Sequence, residues 1–155
     1  MRRLIGAVLL LATAGAGFTA TGAMAQSEAP AGRLLCVIGT GLAQAVSTQR
    51  PLECRFRPRR GPLQIYAGVI RGFALDTRVV GRSQIAWRVY GPYARAPLGA
   101  LNGRYARPAG GVALVGGIDN DVRLEPRPLP LQRGANVALG VTGFELTLTR
   151  SPRRR

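Results

Sequence analysis

The sequence predicts an all-β domain, a single small antiparallel barrel or sandwich of about eight or nine short strands. Three observations carry that expectation. Apolar and polar residues alternate with a period of two over short runs, as on half-buried strands. No stretch beyond residue 32 sustains a helical period for more than a turn. The chain also holds 21 glycines and 11 prolines, which punctuate these runs and supply turn chemistry. A barrel is preferred over a sandwich because Gly68, Gly103 and Gly140 fall inside expected strands, where a wall has to bend.

In chain order, residues 1–25 read as a secretory signal peptide. Arg2 and Arg3 make a positive start, Leu4 to Ala14 a short apolar core, and Ala23-Met24-Ala25 a cleavage site. The apolar core is too short for a membrane span, so none is expected in the mature chain. Residues 26–32 are a small, polar lead-in, and the β domain is expected over 33–149.

Leu34 to Ile38 is an apolar first strand carrying Cys36. Segment 42–48 can make a helical turn. In the second strand Leu52, Cys54 and Phe56 face one way and Glu53, Arg55 and Arg57 the other. Leu63 to Arg71 is a strand with two apolar faces, Leu63, Ile65, Ala67 and Val69 against Gln64, Tyr66, Gly68 and Ile70. Gly72 to Asp76 is expected to turn the chain toward Val79-Val80. Gln84 to Tyr90 alternates most clearly, with Ile85, Trp87 and Val89 inward. After a Gly/Pro loop over 91–99, strands are expected at Leu101–Arg107, Val112–Val115 and Val122–Glu125, the last two joined by a hairpin turn. Pro126, Pro128 and Pro130 predict an extended segment outside the hydrogen-bond ladder. Two strands, Asn136–Val141 and Phe144–Thr149, close the domain, and residues 150–155 form a disordered basic tail.

Cys36 and Cys54 are the only cysteines, and a disulfide between them would clip the first strand to the second. In the entropic model a loop of this length contributes roughly 3 kcal/mol, and such a bond persists only in an oxidising compartment. Signal and disulfide together imply a periplasmic or secreted protein.

The formal net charge is +15, and every cation is Arg; a bias this complete points to a genome rich in G and C. Without the two arginines of the signal the net charge is +13. Such a charge favours anionic partners, which for an exported protein are anionic lipid or polysaccharide of the cell envelope rather than nucleic acid. The candidate contact surface is the cluster Arg55, Arg57, Arg59 and Arg60, able to grip phosphate or carboxylate bidentately; the alternative is a plain solvated rim. The tail residues Arg153, Arg154 and Arg155 admit the same two readings.

Catalysis is not expected, and neither a cofactor nor a metal is expected. The chain has no His, only seven carboxylates, and no serine in a nucleophile elbow. Gly39-Thr40-Gly41 lacks the rest of a dinucleotide fingerprint. Asp119-Asn120-Asp121 lacks the spacing of a calcium loop and reads as a turn. An enzyme would need two carboxylates converging in a cleft, for example Asp76 with Glu145.

The series Tyr66-x-Gly68-x-Ile70, Gly72-x-x-Leu75-Asp76 and Trp87-x-Val89 continues with Leu101-x-Gly103-x-Tyr105, Gly116-Gly117, Leu124-x-Pro126 and Gly134 to Val141. Together with the cysteine pair it resembles the domain-of-unknown-function 992 family, small exported proteins of alphaproteobacteria, over about Arg33 to Leu148. The chain departs from the family pattern at Gln64, where an acid is expected, and over a shorter stretch at Arg107–Gly111. The resemblance implies export and a compact, mostly β domain, and no activity.

The functional expectation is therefore a non-catalytic envelope binding or structural module, or alternatively a carrier barrel holding a small apolar ligand. An interior filled by Trp87, Phe144 and Leu146 would favour the module, and small side chains around a hollow the carrier. Alkylation of the unreduced protein should label neither cysteine; two labelled thiols would rule out the cross-link.

Overall fold

The computed structural model describes residues 28–39, 41–76, 84–130 and 136–150. The expected signal over 1–25, Val79-Val80, the start of the Gly134–Val141 run and the tail beyond Arg150 lie outside the described residues.

Eight antiparallel strands close into a barrel: β1 (Gly32–Val37), β2 (Leu52–Pro58), β3 (Gln64–Phe73), β4 (Gln84–Tyr90), β5 (Gly103–Ala106), β6 (Leu114–Gly116), β7 (Val122–Arg127) and β8 (Val141–Arg150). Around the ring the order is β1-β2-β3-β8-β5-β6-β7-β4 and back to β1. Closure pairs every strand on both sides and leaves no continuous exposed edge. A six-residue helix α1 (Leu42–Ser47) lies in the β1–β2 connection, and a 3-10 turn (Val137–Gly140) precedes β8.

The period-two pattern sorts the wall into two faces. Leu34 and Cys36, Cys54 and Phe56, Tyr66 and Ile70, Ile85 and Trp87, Leu124, Phe144 and Leu146 all point inward and are buried. The Trp87 and Phe144 rings stack with centroids 5.0 Å apart, so the interior is filled by side chains. Cys36 and Cys54 stand directly opposite each other in the β1–β2 register and are bonded, with Cα atoms 4.0 Å apart. Gly68 makes room for that bond: a Cβ there would lie 2.6 Å from Cys54 Sγ and 2.8 Å from the Phe144 ring.

One buried polar network ties the wall to the loop over 91–102. Gln64, fully buried, donates through Nε2 to the Pro97 carbonyl (2.9 Å) and accepts at Oε1 from Tyr66 (2.6 Å) and the Gly99 amide (3.0 Å). The Leu101 amide donates to the Tyr66 hydroxyl (3.1 Å), and Tyr105 donates to the Leu101 carbonyl (2.9 Å). Satisfied in this way, Gln64 avoids the cost of an unpaired buried amide. Burial pushes the Tyr66 phenol up to about 12, even though the Leu101 amide pulls it down, and burial likewise raises Tyr105.

Several boundaries differ from the sequence expectation. Of the two apolar faces of β3, the one with Gln64, Tyr66, Gly68 and Ile70 is inside, and the strand runs on through Gly72 to Phe73. The expected strands at 101–107 and 112–115 shorten to β5 and β6, because Leu101 is held in a turn by Tyr66 and Val112 is exposed. Pro126 sits inside β7 opposite Trp87 of β4, instead of outside the ladder, and lies just beyond Val122 to Leu124, the stretch that pairs with β6. Residues 137–140 coil instead of extending. The Asn136 side chain accepts from the Ala138 amide (3.1 Å), and the Arg107 guanidinium donates to the Leu139 and Val141 carbonyls. β8 is one continuous strand through Thr142-Gly143.

Two outcomes follow. Gly68→Ala should lower stability by about 1–3 kcal/mol through overpacking, read as a lower urea midpoint at unchanged slope. Gly39→Ala, whose new methyl meets nothing within 4 Å, should cost less than about 0.5 kcal/mol; equal costs would refute the packing argument. The fold favours neutral Tyr66, so that contribution is whole below the unfolded value near pH 10 and is lost as pH rises toward 12, about 3 kcal/mol in all. Tyrosinate absorbance should show Tyr66 and Tyr105 ionising only with unfolding. Ionisation of all four tyrosines near pH 10 in a still-folded protein would refute it.

Candidate functional site

The outward faces of β2, β1, β4 and β7 carry a basic row that the register assembles. Arg33 on β1 stands opposite Arg57 on β2 and opposite Arg88 on β4. Neighbouring strands lie ~4.8 Å apart, so three guanidinium side chains leave adjacent positions on the wall. Arg127 projects from β7 opposite Ala86, and Arg59 follows the end of β2, its amide donating to the Ala31 carbonyl (2.7 Å). These five arginines, with Pro30, Gly32 and Pro58, line an open groove of about 530 Å³. Gly32 itself falls on the inward face of β1, where a Cβ would meet the Arg57 carbonyl at 2.5 Å and the buried Phe56 ring at 2.6 Å.

A second, smaller groove of about 230 Å³ adjoins it, lined among others by Ala31, Arg59, Arg60 and Tyr93. The two share Pro30 and Arg59, so the basic surface continues from the wall onto the end of the barrel. Tyr93 is held in place by its hydroxyl, which donates to the Ala100 carbonyl (3.1 Å).

Among the described residues no carboxylate lines either groove. Glu125 stands opposite Arg88 in the ladder, yet its Oε1 lies 3.3 Å from Arg123 Nε. Glu28 also goes to Arg123, at 3.5 Å, and the Arg123 guanidinium sits 4.5 Å over the Tyr90 ring. Among the described residues Arg33, Arg57, Arg59, Arg88 and Arg127 make no ion pair. Like charges directly opposite one another on a sheet are destabilising by up to about 1 kcal/mol a pair. The row therefore holds repulsion that a bound anion would relieve.

The structure divides the cluster Arg55, Arg57, Arg59 and Arg60. Arg57 and Arg59 line the larger groove, and Arg59 and Arg60 the smaller. Arg55 does neither; its Nη2 is 2.9 Å from Glu53 Oε1 on the same strand. The cluster reading missed Arg33, Arg88 and Arg127. Arg33 was within reach of the sequence: pairing Cys36 with Cys54 in an antiparallel register puts Arg33 opposite Arg57. Arg88 and Arg127 carried no such signal, since nothing in the chain order makes β4 a neighbour of β1.

Other candidate groups are engaged structurally. Glu145 accepts from Arg71 at 2.8 and 3.0 Å, with Arg104 at 3.7 Å. Asn120 takes a φ of 55° in the hairpin between β6 and β7, as a turn residue does. Among the described residues no three His, Cys, Asp or Glu are grouped to hold a metal ion, and no helix is long and apolar enough to cross a membrane.

No curated protein and no solved structure matches the chain. The model of one family, described as a protein of unknown function (DUF992), matches residues 16–148. With most of its length covered by that match, and the expected barrel and disulfide in place, the chain belongs to the DUF992 family.

Proposed function

We propose that the protein is exported and works as a non-catalytic binding module of the cell envelope, attaching a rigid basic barrel to anionic material. The observation that carries this reading is the row Arg57–Arg33–Arg88, three like charges on adjacent strands without a carboxylate among them. Charges kept together at a cost to the fold suit an anion that neutralises them, and Arg matches phosphate and carboxylate bidentately. A non-catalytic role is supported by the absence of His and by the engagement of Glu145 with Arg71 and Arg104. The filled interior, with Trp87 stacked on Phe144, favours the module over a carrier of apolar ligands. The disulfide and the signal-like N-terminus support an oxidising location, periplasmic or secreted.

The protein should be retained by anionic vesicles or acidic polysaccharide beads at about 0.05 M salt and released at about 0.5 M. Arg33→Gln with Arg88→Gln should weaken retention at least about tenfold. Arg50→Gln with Arg104→Gln, which removes the same charge elsewhere, should weaken it much less. Equal losses, or retention indifferent to salt, would overturn the assignment.

A further inference from the structure

We infer that the joined grooves form a binding cleft for a linear acidic polysaccharide, one bearing a carboxylate on successive sugars. This deepens the anion-binding reading above and rests on it.

Shape is the first argument. The two grooves share Pro30 and Arg59 and so adjoin one another from the wall to the barrel end, giving a footprint longer than one sugar. Spacing is the second. Arg57, Arg33 and Arg88 repeat at the inter-strand distance of ~4.8 Å, comparable to the length of one sugar unit. The part of the chain that crosses the wall therefore meets one guanidinium per residue, each able to form two parallel hydrogen bonds to a carboxylate. The third is the aromatic wall. Tyr93 borders the smaller groove beside Arg59 and Arg60, a half-buried ring fixed through its hydroxyl and available for apolar contact with a sugar.

A lipid surface fits less well. Docking on a membrane uses apolar side chains that enter the headgroup region next to the basic ones. The exposed large apolar residues Val37, Leu75, Leu98, Val112, Ile118 and Leu139 line neither groove.

Calorimetric titration of the disulfide-bonded protein with digalacturonate and hexagalacturonate tests the cleft, with vesicles of phosphatidylglycerol and neutral dextran as comparison probes. The hexamer should bind at least about tenfold more tightly than the dimer, because it engages both grooves. Arg60→Gln should weaken the hexamer much more than the dimer and so shrink the length advantage, and Arg33→Gln with Arg88→Gln should weaken both. Dextran should not bind. Binding to the vesicles that depends on Arg33 and Arg88, with no binding of the oligogalacturonates, would overturn the polysaccharide assignment and leave the anion-binding reading standing. So would oligomer binding without the length or Arg60 dependence. Failure of every anionic probe to bind in an arginine-dependent way would overturn both.

Discussion

The register of β1 against β2 is the constraint on which the rest of the molecule depends, and the Cys36–Cys54 bond fixes it. Side chains alternate strictly along a strand, so a slip of one residue would carry every inward group to the outside. With Cys36 locked to Cys54, Leu34 and Phe56 must meet inside and Arg33 and Arg57 outside. The same bond thus sets a layer of the core and the start of the basic row. Gly68, whose missing Cβ leaves room for both Cys54 Sγ and the Phe144 ring, extends that layer to β3 and β8.

Closure does the remaining work of placement. β1 is flanked by β2 on one side and by β4 on the other, which brings together residues far apart in sequence. Arg57, Arg33 and Arg88 become neighbours for this reason alone. The glutamates that might have neutralised them are drawn off: Glu53 to Arg55, and Glu28 and Glu125 to Arg123. A strongly basic composition is in this way sorted into paired arginines and a groove whose arginines make no ion pair among the described residues. Surface ion pairs of this kind add little to stability. Their distribution matters more than their number.

The end of the barrel is organised by a different device. Gln64, Tyr66 and Tyr105 reach from β3 and β5 to the backbone of the loop over 91–102, and the same loop presents Tyr93 to the smaller groove. A loop that would otherwise lie loosely over the core is held by buried hydrogen bonds, in surroundings where each is costly to break. Stability of the core and geometry of the groove share one network.

The amino-acid sequence alone determined the class of fold, most strand positions, the inward set on β2, β4 and β8, and the single cross-link. These are local or pairwise matters: alternation is read residue by residue, and two cysteines admit one intramolecular pairing. It left open which face of β3 turns inward, since Ile65, Ala67 and Val69 are as apolar as their neighbours. It also gave Asn136–Val141 a strand that the Asn136 cap and the distant Arg107 convert to a 3-10 turn. The arginine cluster was half legible, because residues close in sequence at the end of β2 are close in space. Only the tertiary structure decided that Arg33, Arg88 and Arg127 complete the groove and that Arg55 does not. Which strands lie side by side is set by closing the sheet around its core, and chain order does not encode that adjacency.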